Sequence, residues 1–128
     1  MSYKYVKKPP KYLNLLKIRL PLPGFVSILH RLSGAVLFLF IPFLLWPLQA
    51  SLASAESYAS VNATLSGPLV KLVVVGLIWA FLHHFFAGIR YLALDMHLGV
   101  ELGAARASGT AVLIASIALT ILIGVRLW

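Results

Sequence analysis

Three stretches of this chain are too long and too apolar to be covered by a water-soluble fold of the same size. They run over about residues 24–50, 68–94 and 107–128. Each can cross a hydrocarbon core of about 30 Å at a rise of about 1.5 Å per residue. A soluble domain carries about 25% charged residues; here 11% are charged and 61% are apolar, so the solvent the chain expects is a bilayer. Within a bilayer, backbone groups must be satisfied inside the segment that carries them, which leaves helices for stretches of this kind. The expectation is an all-α integral membrane protein with three transmembrane helices, built as one membrane-anchor domain over residues 1–128.

The net charge of +8 resembles a nucleic-acid signal, but its placement excludes that class. Lys4, Lys7, Lys8, Lys11, Lys17, Arg19 and Arg31 all fall in the first quarter of the chain. Basic residues flanking a first span mark the cytoplasmic side and an anionic lipid surface. Residues 1–23, punctuated by Pro9, Pro10, Pro21 and Pro23, are therefore read as a cytoplasmic arm. Tyr12 to Ile18 forms either a short interfacial turn or part of a flexible tail. The arm is long, contains prolines and runs straight into a full span, so it is not expected to be a cleavable signal. With no cysteine, neither a disulfide nor a protein-held iron–sulfur cluster can form within the chain.

Pro42 and Pro47 fall inside the first span, where a kink is expected rather than a break. Trp46 is expected near the far interface. Residues 51–67 are small and polar and are expected to form a short external loop. Ser66-Gly67-Pro68 is a helix-start signal for the second span. Asp95 to Arg106 is expected as an inner loop, leaving the carboxyl terminus outside. In the third span Ser108, Ser116, Thr120 and Gly124 recur at multiples of four, with alanines on adjoining positions. Small residues in this pattern let transmembrane helices approach backbone to backbone.

The second span carries two histidines in its interior, in the stretch FLHHFFAGIRYLALD from Phe81 to Asp95. An ionisable side chain at membrane depth is a functional-site signal. At about 100° per residue, positions 84, 88, 91 and 95 share one helical face. Ala80 and Gly88, one turn either side of His84, leave space for a flat macrocycle, and haem iron is commonly held by an axial histidine. The competing reading is a histidine that hydrogen-bonds between helices. His83 points about 100° away and is read as a packing or hydrogen-bonding residue. His30 belongs to the first span and is expected about 12 Å or more from the depth of His84. A second histidine ligand would then have to come from another chain.

Ser27, His30 and Arg31, in SILHRLSG, form a second polar group at the start of the first span. Hydroxyl, imidazole and guanidinium together can donate to a quinone head group or to a haem propionate. The alternative is an arginine that snorkels to the headgroups. Gly34, one turn deeper, allows close approach. Asp95 ends the His84 face at the inner rim, where it is either a partner of Arg31, a proton relay or a solvated helix-end charge. Arg90 is assigned to a headgroup or partner-protein contact, while His97 and Glu101 are read as solvated.

SILHRLSG together with His84-Phe-Phe-Ala-Gly88-Ile-Arg90-Tyr-Leu-Ala-Leu-Asp95 resembles the cytochrome b subunit of succinate dehydrogenase. The likeness covers nearly the whole chain, including PPKYLNL near its start. It implies a bacterial inner (cytoplasmic) membrane location and a four-subunit complex. The partners would be a flavoprotein subunit, an iron–sulfur subunit and a second membrane anchor, with no nucleic acid. One haem b would be shared between the two anchors, with His84 as one axial ligand and the other from the second anchor. Ser27 and Arg31 match the family's quinone-binding residues, and His30 matches a position near the haem propionates. Many relatives have histidine where this chain has Tyr91, whose phenol could still donate one hydrogen bond to a propionate. Asp95 would be a possible proton relay. The chain would belong to the enzyme succinate dehydrogenase (quinone) while carrying no residue that oxidises succinate. Two alternatives are a haem-binding anchor without a quinone site and a purely structural anchor.

Overall fold

A computed structural model of the chain describes residues 20–128. Tyr12 to Ile18 and most of the basic arm lie outside the described residues. Among those described there are four helices and no strand. The first, α1 (Leu22–Ala53), carries Pro23 in its first turn, where a missing N–H costs nothing, and continues unbroken through Pro42 and Pro47. It extends beyond the expected 24–50 at both ends.

The stretch 51–67, expected as a loop, contains a second helix, α2 (Ala55–Leu65). Its start is fixed by a reciprocal serine cap. Ser57 N–H donates to Ser54 Oγ at 3.1 Å, and Ser54 N–H donates to Ser57 Oγ at 3.1 Å. Ser57 Oγ also donates to the carbonyl of Ala50 at 2.7 Å, tying α2 to the end of α1. Small polar residues lowered the apolar signal here, but alanines and the acidic Glu56 in the first turn favour a helix.

α3 (Pro68–Asp95) begins after Gly67 with Pro68 in its first turn, where the start signal is expected. Its end is a Schellman arrangement: Leu98 N–H donates to the Ala93 carbonyl and His97 N–H to that of Leu94, both at 2.9 Å. His97 takes the left-handed conformation this requires, with φ 63°. The turn is consequently tight, and α4 (Leu102–Leu127) begins five residues before the expected position 107.

α1, α3 and α4 are each long and apolar enough to cross a membrane. α3 is the central helix, packed on α1 on one side and on α4 on the other. The chain's own core is thin: Val26, Ala87 and Val112, one from each long helix, with Phe86, Tyr91 and Leu113 around them. The small-residue face of α4 is buried within the chain at Gly109, Val112, Ser116 and Thr120. Gly109 faces Leu22, where an added Cβ would lie 3.2 Å from its Cδ2. Ser116 and Thr120 return their hydroxyls to carbonyls of α4 itself, at 3.0 and 2.7 Å. Most large apolar side chains are exposed, as expected of surfaces that face lipid or another subunit.

Candidate functional site

His84 and His30 come together in the centre of the α1–α3 contact. Their rings stack with centroids 4.2 Å apart and planes inclined by 13°. The expected separation in depth is therefore wrong. Leu22 packs on Gly109, which lies seven residues into α4, so α1 enters the bundle about 10 Å deeper than α4 does. A residue eight positions along α1 has by then reached the level of His84. The two imidazoles nevertheless cannot grip one iron as they stand. Axial ligands approach a macrocycle end-on from opposite faces, and two rings lying face to face leave no space for one between them.

The hydrogen bonds of His84 decide which end of its ring is available. Nδ1 lies 3.0 Å from the His30 carbonyl oxygen and 3.3 Å from Ser33 Oγ. The Ser33 hydroxyl is itself donated to the His30 carbonyl at 2.9 Å. A carbonyl only accepts, so Nδ1 carries the proton and Nε2 keeps its lone pair. A carbonyl accepting from the other ring nitrogen is what orients metal-ligating histidines. The ring is pressed against Gly34, where an added Cβ would come within 2.8 Å of His84 Cε1. The glycine expected to permit close approach thus does so for the imidazole of the facing helix. Among the described residues, no cluster of three or more potential metal-ligating side chains forms around it.

The neighbours of His84 divide differently from the helical-wheel expectation. Gly88 faces His30, whose Nε2 would lie 3.8 Å from an added Cβ. Ala80 is buried and lines an apolar groove of about 280 Å³ between α1 and α3, together with Ser33, Val36, Phe40 and Gly76. Tyr91 tilts against His30 with ring centroids 5.2 Å apart. Its hydroxyl is buried and has no hydrogen-bond partner. His83 is 0% exposed and stacks on Trp79 at 5.3 Å, with neither ring nitrogen bonded. It is a fully buried packing residue here.

Ser27 is half-buried and Arg31 exposed, one turn apart on α1. The hydroxyls of Ser33, Ser51, Ser108, Thr110, Ser116 and Thr120 are all returned to carbonyls of their own helices. Of the serines and threonines in the three long helices, Ser27 alone makes no side-chain hydrogen bond among the described residues. Asp95 is exposed at the last residue of α3, and no ion pair joins it to Arg31.

Two features were not legible beforehand. Ser33 joins the His30 carbonyl beside the His84 ring, 3.3 Å from Nδ1, and its only signal was its position one turn after His30. Arg90, assigned to headgroups or a partner protein, is 7% exposed and also bonded to α4. Its Nε–H donates to Ser108 Oγ at 2.9 Å, and Nη2 to the Ala105 carbonyl at 3.2 Å. The guanidinium also lies 5.4 Å from the Tyr91 ring centre. An arginine in an apolar helix needs acceptors, and a serine in the next helix was the available signal.

Residues 6–123 match the family of succinate dehydrogenase/fumarate reductase transmembrane subunits. Similar proteins include the succinate dehydrogenase cytochrome b556 subunit of Coxiella burnetii, 38% identical over 94% of this chain and 98% of the relative. The subunit of the same name from Paracoccus denitrificans is 32% identical over 85% of this chain and 84% of its own length. That of Rickettsia felis is 30% identical over 94% of each.

Proposed function

Because the chain belongs to the family of succinate dehydrogenase/fumarate reductase transmembrane subunits, we propose that it is the cytochrome b anchor of a succinate:quinone oxidoreductase. In this reading it holds one haem b jointly with a second membrane anchor and forms part of the site where a quinone is reduced. Its location is a bacterial inner membrane, with the Asp95 end and the amino-terminal arm on the cytoplasmic side. The names of the relatives, each a cytochrome b556 subunit, support the haem.

The observation that carries the reading is the orientation of His84. Its Nδ1–H is spent on the His30 carbonyl, so Nε2 is the free, unprotonated end that an axial ligand presents. The donor set fits a haem with one ligand from this chain. Because the stacked His30 is not placed to be the opposite ligand, the second is assigned to the other anchor subunit. The buried, unpartnered Tyr91 hydroxyl supports a hydrogen bond from Tyr91 to a propionate, and His30 beside it lines the same rim. Bound haem would supply a one-electron redox centre inside the bilayer.

Quinone reduction needs two electrons, which the iron–sulfur subunit would deliver, and two protons. The unused hydroxyl of Ser27 donates to one quinone carbonyl, and Arg31 beside it supplies positive potential where negative charge develops. Preorganised donors of this kind stabilise that charge without reorganisation at the moment of transfer. Asp95, exposed at the cytoplasmic rim, passes protons inward. Succinate itself is oxidised at the flavoprotein, and no residue of this chain takes part in that step. In the assembled complex, Arg31→Ala lowers quinone reduction at least about tenfold while sparing succinate oxidation by an artificial dye acceptor. Equal loss of both rates would remove Arg31 from the quinone site.

A further inference from the structure

Arg90 is a buried cation in a membrane-spanning helix with no carboxylate to balance it. The whole chain has three acidic residues, Glu56, Asp95 and Glu101. Glu56 is on α2 at the opposite end of the bundle, and no ion pair joins Arg90 to either of the others. A guanidinium has five N–H donors. Here one on Nε and one on Nη2 are used, on Ser108 and Ala105, both of α4. Nη1 makes no hydrogen bond among the described residues and is not among the sealed, unsatisfied atoms of the bundle. The two bonds hold the guanidinium plane on α4 while leaving its remaining edge open.

Arg90 also lines a groove of about 310 Å³ between α3 and α4. Arg90 and Ser108 are its polar lining, and Phe86, Ala111 and Ala115 are among its apolar walls. Ser108 to Ala115 spans about 10 Å along α4, so the groove runs along the membrane normal rather than across it. Arg90 is five residues from the end of α3, about 7 Å below the helix terminus, at the depth where a long side chain meets phosphates. Basic pockets between transmembrane helices on the cytoplasmic side suit anionic headgroups. The length, the apolar walls and the single uncompensated cation at one level fit one kind of occupant.

We propose that this groove binds an anionic diacyl phospholipid, with its phosphate on the open edge of Arg90 and one acyl chain against Phe86, Ala111 and Ala115. The lipid phosphate supplies the counter-charge that the chain lacks. A neutral zwitterionic lipid fills the same groove less well, because its own ammonium competes for the phosphate. The site is on the α4 side of α3, away from the His30–His84 pair on the α1 side.

The test uses the complete complex, purified from membranes and reconstituted in nanodiscs of mixed phosphatidylglycerol and phosphatidylcholine. Native mass spectrometry of the released complex counts the lipids retained. The wild type keeps phosphatidylglycerol in excess of its share in the disc. Arg90→Gln lowers that retention by at least about tenfold, the scale of a lost charge-assisted hydrogen bond. Ala111→Phe fills the groove while leaving Arg90 and Ser108 intact, and it also expels the lipid. Arg106→Gln, an exposed arginine at the same end, retains it. The proposal is overturned if the wild type retains the two lipids in their bulk ratio, or if Ala111→Phe retains phosphatidylglycerol as the wild type does. It is equally overturned if Arg90→Gln sheds the second membrane subunit with lipid retention unchanged, which would make a partner protein the counter-charge.

Discussion

Gly34→Ala is the smallest change that reaches His84 without touching it chemically. The added Cβ would stand 2.8 Å from His84 Cε1 and 3.2 Å from Nδ1. Ordinary contact at a Cβ begins at 3.4 Å, so the shortfall is 3.4 − 2.8 = 0.6 Å. Moving the ring by that amount can lengthen the 3.0 Å bond from Nδ1 to the His30 carbonyl to as much as about 3.6 Å, beyond hydrogen-bond reach. If the helices part instead, α1 and α3 lose packing at a cost of about 1–3 kcal/mol. Either response moves Nε2 by more than the ~0.5 Å within which a ligand must be held. The variant complex is expected to assemble with haem content reduced several-fold, or with a lowered and broadened haem potential. Haem per complex and a redox titration measure these directly. Gly88→Ala is the internal control. Its Cβ would lie 3.8 Å from His30 Nε2, an ordinary contact, and it should keep full haem content. Wild-type haem content and potential in Gly34→Ala would refute the packing argument, as would equal damage from both alanines.

Tyr91→Phe removes a buried hydroxyl that bonds nothing within the chain. If the group serves only packing, its loss is neutral or slightly stabilising; if it serves a propionate, the haem potential shifts while assembly is unchanged, and an unshifted potential removes Tyr91 from the site. His97→Gly relieves a left-handed conformation at the end of α3, with φ 63°, and should stabilise the α3–α4 turn by about 1 kcal/mol. A thermal melt that falls instead of rising would show that the imidazole itself holds the turn.

The fold was largely legible because the bilayer imposes a single rule on long apolar segments, and the three spans obey it. What failed was read from local polarity. The stretch containing Ser54 and Ser57 looked like a loop because its helix is stabilised by a cap and by the end of α1, not by an apolar face. His97 gave no warning that it would occupy the position usually given to glycine, so α4 starts earlier than its alanine pattern indicated. The candidate residues were legible as types and only partly as geometry. Helical periodicity put His84, Gly88 and Tyr91 on one face, but it carries no information on how far α1 slides past α3. That offset shows where Leu22 packs on Gly109, and with it His30 lies on His84. The bonds from Arg90 to α4 were not legible for a related reason: its acceptors, Ser108 and the Ala105 carbonyl, belong to a helix whose facing register is decided only in three dimensions.

The central claim is that His84 presents Nε2 to a haem iron, and it is tested most directly by replacing the imidazole with one that is not attached to the chain. In the purified complex carrying His84→Gly, the account predicts loss of the b-type signal from the reduced-minus-oxidised spectrum and its recovery when imidazole is added. A wild-type b-type spectrum in His84→Gly without added imidazole would contradict it.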